Sequence, residues 1–590
     1  MADKYKKAVI FSLVAILALQ LLYFTAIYKL NFPYSVDWLG IAYFHEYLTT
    51  GVFPYEKIFT AYSGHYLIFP RILVLPNLLF NSYDVGNLYF LQWGLLSLTL
   101  FFIYLLVKRT DKKLYWTLIP ISAFIFSPLP NSNYWAFAIL LWLLPPLGVV
   151  LVTYLLDKKH LNIKLLLSAI SIAIVTTFSS IIGIVVWLPG IISLIRIKSS
   201  EKKWNEKRWF VAWLATTIVV GMIYYITVPK SEFTIHFPLL LSQEGFSFIA
   251  TFASVPFRLK YDILMVIVGT FTILLSAFCI YYFVIWKKKI KIALPWIIFI
   301  LVGLADAVIT GAGRIQLEFH KGNEPYYIPM SHFTQIGLMV LLSLIILDIR
   351  NSPPRKSKKV LLALFVAIIL IQMILLVPSY YAGWARGEYY FNEKSQYANC
   401  FSLSHGEYCV QELGLLDEEH IRNLNFINFW LENNFSIFTE GSFNQQNVKD
   451  VNAFEQVWYN NKQVDVGLGR IEDINGVPPD DQGPIHLEMP SVILTGWILD
   501  QNMQSPDAIY LLVDGKPLLK YDDFKPRKDI KNNLGEGADL NSGWKISFLS
   551  GYLQDGCHKI QIVGLIGEDK VMLDQEIQVC KNYLYKIRKQ

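Results

Sequence analysis

The sequence predicts a polytopic α-helical membrane protein of about eleven transmembrane helices, followed by a C-terminal extracytoplasmic, mainly-β domain. Three observations predict it. Apolar residues recur in blocks up to about residue 380 and then stop. Short Lys/Arg clusters occupy the connections between those blocks. Beyond residue 485 the pattern changes to short alternating strands separated by turn residues. Composition agrees. The 590 residues are 54% hydrophobic and 15% aromatic, and only 17% are charged. Soluble domains carry roughly 25% charged residues, so most of this chain is not built to meet water. The expected organisation is a transmembrane domain over 1–380, a helical and linker region over 381–485, and a β-sandwich over 486–590.

A span needs about 20 apolar residues. Segments of that kind lie at 8–29, 85–107, 114–129, 134–155, 163–179, 181–196, 209–228, 262–285, 292–313, 326–348 and 359–379. The first has lysines before it and no small-residue cleavage site, which reads as a retained span and not a signal peptide. Between 163–179 and 181–196, Thr176, Thr177, Ser179 and Ser180 make either a turn at the membrane surface or a break within one helix.

The basic clusters test this count. They are Lys4/Lys6/Lys7, Lys108/Arg109/Lys112/Lys113, Lys158/Lys159/Lys164, Arg196 to Arg208, Lys287/Lys288/Lys289/Lys291 and Arg350 to Lys359. With these spans every cluster falls on one side, which the positive-inside rule makes cytoplasmic. The net charge of +6 therefore reports topology and does not suggest nucleic acid. The N-terminus is then cytoplasmic. Residues 30–84, 130–133, 229–261, 314–325 and everything after 380 face outward from the cytoplasmic membrane. The stretch 229–261 is apolar but too broken to span, and suits an interfacial or re-entrant course.

After the last span, Tyr380, Tyr381, Trp384, Tyr389 and Tyr390 suit an interfacial aromatic belt. Helical periodicity follows at 417–434, then a polar linker at 440–485. Strands are expected in SVILTGWILD, AIYLLVDGK, GWKISFLS, HKIQIVGLI and VMLDQEIQV, forming a small antiparallel β-sandwich. Cys279 lies within a span. The other four cysteines lie outside, where three pairings are open, and proximity favours 400–409 and 557–580.

The chemistry concentrates in the loop between the first two spans. Asp37 follows the outer end of the first span, beside Trp38. A carboxylate near a low-dielectric surface has a raised proton affinity, which suits a general base; the bland alternative is a helix cap. Glu46 and its neighbour His45 fall two turns later if 36–48 is helical. A second carboxylate there could bind a divalent cation or an acceptor hydroxyl, or simply mark the charged face of an interfacial helix. His65 and Arg71 bracket an apolar stretch, and a planar guanidinium can bind two phosphate oxygens at once or snorkel to lipid headgroups. Arg258, Lys260, Arg314, His320, Lys321 and His332 are expected at the same depth. Together they make a positive rim suited to a lipid phosphate. Asp306 lies inside a span, as a functional group or as an interhelical hydrogen-bond partner. No Walker loop, Rossmann glycine pattern or HExxH occurs, which argues against a nucleotide-driven or zinc-dependent enzyme.

Asp37-Trp38, the segment GHYLIFPRIL with His65 and Arg71, and Gly313-Arg314 ahead of Ser331-His332-Phe333-Thr334 resemble motifs of the GT-C superfamily of membrane glycosyltransferases. His332 and Phe333 depart from the pattern. Gly496-Trp497, Val513-Asp514-Gly515, Arg527-Lys528-Asp529 and Ser542-Gly543-Trp544 are similar to a β-sandwich module attached to bacterial glycosyltransferases. The resemblance implies a sugar donor linked to polyprenyl phosphate, a glycan or glycolipid acceptor, and membrane lipids as surroundings. It implies Asp37 as base, with inversion at the anomeric carbon, and the cations on the phosphate. Alternatives are a transporter or flippase of lipid-linked sugars, or a non-catalytic glycan-binding scaffold.

Overall fold

The computed structural model describes residues 2–33, 37, 44, 47–48, 50–53, 55–62, 64–130, 136–157, 161–200, 204–228, 237–314, 322–353, 356–404, 454, 458, 464–479, 483–487, 491–522, 524–535, 537–549, 553, 556–567 and 569–581. The chain divides into two compact units. One comprises Met1–Lys29, Leu39–Asn81 and Val85–Phe391; the other comprises Leu30–Trp38, Ser82–Asp84 and Asn392–Gln590.

The first unit is helical. Its helices are α1 (Ala2–Tyr28), α2 (Ile68–Phe80), α3 (Val85–Thr110), α4 (Leu118–Ile125), α5 (Ala138–Leu156), α6 (Ile163–Thr177), α7 (Trp187–Ser200), α8 (Trp204–Thr227), α9 (Gln243–Ser254), α10 (Asp262–Tyr281), α11 (Ile290–Arg314), α12 (Ile328–Asn351) and α13 (Lys356–Ser404). Among the described residues, eight helical stretches are long and apolar enough to cross a membrane, in α1, α3, α5, α8, α10, α11, α12 and α13. Three of the expected spans are shorter helices. Asp111 accepts from the Lys113 amide and starts a 3-10 turn, Lys112–Thr117, and α4 stops ahead of Pro128, whose ring cannot continue it. α6 ends at Thr177, and a 3-10 turn, Ile181–Val186, leads into α7. A Cβ at Gly183 would sit 2.0 Å from the Thr176 carbonyl, so only glycine lets the chain fold back this tightly. Of the stretch 229–261, the described residues from 237 on form a short helical turn, Phe237–Leu240, and α9, neither long enough to span.

α11 and α12 pack closely because small residues meet at the contact. A Cβ at Gly337 would lie 2.5 Å from the Trp296 carbonyl, the small-residue packing that lipid-embedded helices favour. α9 ends inside the bundle, where the Val255 amide reaches the Phe252 carbonyl and the last carbonyls keep further acceptor capacity. α12 satisfies them: Ser331 donates to the Phe252 carbonyl at 2.6 Å and Gln335 to the Ala253 carbonyl at 2.7 Å.

Among the described residues, four of the six basic clusters meet at one end of this bundle. Lys7 at the start of α1 lies over Tyr115. Arg109 donates to the Tyr154 carbonyl at the end of α5. Trp296 at the start of α11 donates to Thr110 at the end of α3. Lys287 and Lys289 pair with Asp348 near the end of α12.

Among the described residues, the second unit carries a β region of nine strands: β3 (Asp465–Ile474), β4 (Ile485–Leu487), β5 (Ser491–Leu499), β6 (Ala508–Val513), β7 (Lys516–Tyr521), β8 (Gly543–Leu549), β9 (Gly556–Ile566), β10 (Asp569–Leu573) and β11 (Ile577–Lys581). β1 (Ala61–Tyr62) and β2 (His65–Tyr66) form a separate hairpin in the first unit. A short helix, α14 (Lys528–Leu534), precedes β8. β9 pairs with β6, β10 and β11, while β5 lies between β3 and β8. Two pairings, β3 with β10 and β4 with β11, are parallel, so the expected all-antiparallel arrangement is corrected to a mixed one. β3 falls in the stretch read as linker, and β4 begins at its last residue. β3 joins the two ladders, pairing first with β10 and then with β5. Its Ile471 and Ile474 enter a core shared with Leu494, Trp544, Ile546, Ile509 and Ile562. Gly496 stands opposite Trp544, whose ring would lie 2.5 Å from any Cβ there. Arg527 binds Glu472 at 2.7 and 3.0 Å and Asp529 at 2.8 and 2.6 Å. The motif residues of this module thus act on one another. Cys557 and Cys580 form a disulfide. Cys409 and the expected helix at 417–434 lie outside the described residues.

Candidate functional site

At the bundle end away from the basic clusters, five segments meet around His65. The hairpin β1–β2 places it there. Tyr224, at the end of α8, accepts from the Tyr66 amide and donates to the Gly64 carbonyl at 2.9 Å, which pins the hairpin to the bundle. The Ile68 amide donates to the Phe178 carbonyl at 3.2 Å. His65 Nδ1 lies 3.3 Å from Ser180 Oγ and accepts the Ile181 backbone N–H at 3.3 Å. An N–H can only donate, so Nδ1 is the unprotonated nitrogen and the ring is neutral with its proton on Nε2. Burial, reinforced by the nearby charge of Arg314, pushes the imidazole down to about 3. His65 is therefore a hydrogen-bonding group and not a cation.

Aromatic rings line the same place. Trp142 lies 6.1 Å from the His65 ring, 4.8 Å from Tyr326 and 6.0 Å from Tyr327. Arg314 ends α11, and its charge reaches His65, Tyr326 and Tyr327. An arginine charge that reaches a group of tilted and edge-to-face aromatic rings and a neutral imidazole donor suits an oxyanion attached to a ring-shaped group.

Arg258 also lies at this end, half-buried. It adopts a left-handed backbone, φ 44°, and donates to the Asn323 carbonyl at 2.6 Å. Lys260 is exposed, with its ammonium 5.5 Å above the Tyr261 ring.

Two expected phosphate ligands are placed elsewhere. Arg71 is fully buried, and its Nη1 donates to the carbonyls of Ile58 at 2.7 Å and Thr60 at 2.8 Å. That nitrogen is committed to backbone oxygens and holds the loop onto α2. His332 is buried within α12, its ring 5.6 Å from that of Phe124, so it is not part of an outer rim. The departure from the motif at His332 and Phe333 fits that placement. Asp306 is buried and accepts from Thr310 on its own helix at 3.3 Å. Glu46, His45, His320 and Lys321 lie outside the described residues.

Asp37 belongs to the second unit and is buried. Tyr83 of the same unit donates its phenol to the Asp37 backbone carbonyl at 3.3 Å. Burial, and then the charge of Asp37, raises the Tyr83 phenol well above its ordinary range. Ser82 and Tyr83 both hold positive φ, 48° and 52°, a left-handed pair uncommon outside glycine and kept only where the surroundings enforce it. Tyr83, Trp142, Ser180, Tyr326 and Tyr327 carry no local sequence signal. Only the unusual Ser82–Tyr83 turn, in a stretch Asn-Ser-Tyr-Asp of turn formers, has any.

Among the described residues no group of three His, Cys, Asp or Glu side chains lies together as a metal site would require. Neither protein-family models nor curated protein sequences give a match to the chain.

Proposed function

We propose that this chain is an inverting glycosyltransferase that moves a sugar from a polyprenyl-phosphate donor to a surface polysaccharide or glycolipid. It works on the outer face of the cytoplasmic membrane, with the basic bundle end in the cytoplasm. The observation that carries this reading is the convergence of Arg314, neutral His65 and the Trp142, Tyr326 and Tyr327 rings at the opposite bundle end. A phosphate leaving group needs cations and hydrogen-bond donors and no acid partner. A sugar ring packs on aromatic faces.

In this scheme Asp37 takes the proton of the acceptor hydroxyl as its oxygen attacks the anomeric carbon. The bond from that carbon to the phosphate oxygen breaks, and polyprenyl phosphate leaves with the electron pair. Attack from the face opposite the leaving group inverts the anomeric centre. Arg314 stabilises the charge that grows on the phosphate, and His65 donates through Nε2.

One observation favours a second reading, a flippase of lipid-linked sugars. Gln92, Asp306, His332, Gln335 and Gln372 are polar and buried in four of the spans, and buried polar groups in spans mark translocation paths. Proteoliposomes holding a labelled polyprenyl-phosphate sugar separate the two. Transfer puts the label on an acceptor and releases polyprenyl phosphate; translocation leaves the label on the lipid and changes its leaflet.

A further inference from the structure

The first unit contains a second arginine that the sequence motifs do not single out. Arg386 lies on α13, half-buried, within the aromatic stretch that follows the last span. It donates to the Tyr390 phenol at 2.8 Å, and its guanidinium carbon lies 5.4 Å from the Tyr390 ring centre. The fold brings it towards Arg258. α4 touches both segments: Phe124 packs on Phe257 at 6.0 Å, while Tyr380 donates to the Ala123 carbonyl at 2.8 Å. A Cβ at Gly383 would touch the Leu129 amide at 2.5 Å. Arg258 follows Phe257 directly, and Arg386 is one turn beyond Gly383.

The two guanidiniums lie within electrostatic reach of each other. Burial, and then Arg386, lowers the proton affinity of Arg258, while Glu324, Asp262 and Tyr390 act in the opposite direction. Among the described residues no carboxylate stands within ion-pair distance of either arginine. Each is oriented by one bond to an uncharged oxygen. A guanidinium has about five N–H donors, so most of both forks stays uncommitted. Two like charges drawn together in half-buried surroundings repel, and an anion between them reverses the sign of that interaction.

We propose that Arg258 and Arg386 form a two-arginine clamp for the phosphate group of a membrane-borne phosphate ester. Bidentate guanidinium–phosphate pairing matches the forks. The exposed row Leu370, Ile374, Val377 and Tyr381 on α13, at helical spacing, gives a hydrocarbon tail a surface to lie along. The clamp deepens the transferase reading and rests on it only for the identity of the lipid. It adds Arg386 to the phosphate-binding residues.

The test uses the full chain in phosphatidylcholine nanodiscs, with polyprenyl monophosphate added and binding read by intrinsic Trp fluorescence or native mass spectrometry. The clamp predicts that Arg258→Gln and Arg386→Gln each weaken binding about tenfold or more, as loss of charge-assisted hydrogen bonds implies. The double variant should be less than additive. Arg258→Lys and Arg386→Lys, which keep charge and fold, should recover part of the loss. Two arms locate the source of the phosphate. Competition by phosphatidylglycerol assigns the clamp to lipid headgroups in general, and competition by inorganic phosphate assigns it to the free anion. Unchanged binding in both Gln variants, with melting temperatures like wild type, overturns the clamp even if the chain transfers sugar. Arginine-dependent binding without any sugar transfer by wild type upholds the clamp and removes the transferase.

Discussion

Ile181 gives its backbone N–H to Nδ1 of His65 at 3.3 Å across 116 residues of sequence. The bond fixes the tautomer of a buried imidazole and ties the β1–β2 hairpin to the break after α6. It also makes His65 a reporter of folding.

The pH dependence follows from its sign. The folded imidazole is lowered to about 3 from an ordinary 6.5. Between those values the unfolded chain binds a proton that the folded chain refuses, so stability is full above about 6.5 and is lost as pH falls towards 3. The slope from this group is at most about 1.4 kcal/mol per pH unit. His65→Asn removes it. Thermal melting of the purified protein should show a wild-type advantage near pH 7.5 that shrinks on acidification to pH 4.5. A gap that stays constant would mean that His65 titrates normally.

Arg71 is expected to act on stability. Its Nη1 serves two carbonyls, of Ile58 and Thr60, and Arg71→Ala leaves both without it, at a cost of about 3 kcal/mol. Arg71→Lys keeps one bond and should lose less. Melting temperature should fall in that order, while the donor KM of the lysine variant stays within about twofold of wild type. A lysine variant that melts normally but has a raised donor KM would return Arg71 to the phosphate site.

Arg314 is expected to act on the donor. Arg314→Gln removes a charge-assisted contact worth about 1.5–3 kcal/mol and should lower kcat/KM for the polyprenyl-phosphate donor at least tenfold. The acceptor KM should stay unchanged. Steady-state kinetics with each substrate varied in turn read this, and an effect confined to the acceptor would place Arg314 elsewhere in the reaction.

The disulfide Cys557–Cys580 closes a separation of 23 residues between neighbouring strands β9 and β11. Loop-closure entropy puts its contribution at about 3 kcal/mol. Reduction, or the double change to serine, should lower the melting of the β region in the full chain. Limited proteolysis of β-region fragments follows it, and unchanged protease resistance would show that the core holds the region without the bridge.

The apolar blocks and basic clusters made the helical unit legible, because lipid tolerates few other patterns and Lys108, Lys287 and Arg350 stand where chain reversals must be. Three expected spans, at 114–129, 163–179 and 181–196, became shorter helices because Asp111, Pro128 and Gly183 set local turns that a hydropathy average passes over. β3 was hidden: Gly467 and Gly469 dilute its apolar content, and only Ile471 and Ile474 are buried. It is a strand because β10 and β5 flank it, which is information from distant sequence. The site divided in the same way. Asp37, His65 and Arg314 stand in motifs. Trp142, Tyr326 and Arg386 are aromatic or basic residues among many, and gain meaning only from tertiary convergence. Arg71 read as a cation for a phosphate until the Ile58 and Thr60 carbonyls took its Nη1, and His65 did so until the Ile181 amide on Nδ1 marked it as a neutral donor.

The proposed sugar transfer turns on Asp37 as its base. The most direct measurement is transfer of labelled sugar from a polyprenyl-phosphate donor by purified protein, wild type against Asp37→Asn, with melting temperature recorded for both. Wild type should give an inverted product, and a folded Asp37→Asn should lose about a thousandfold or more in kcat, in the range that removal of a general base produces. Wild-type activity in the folded variant would contradict it.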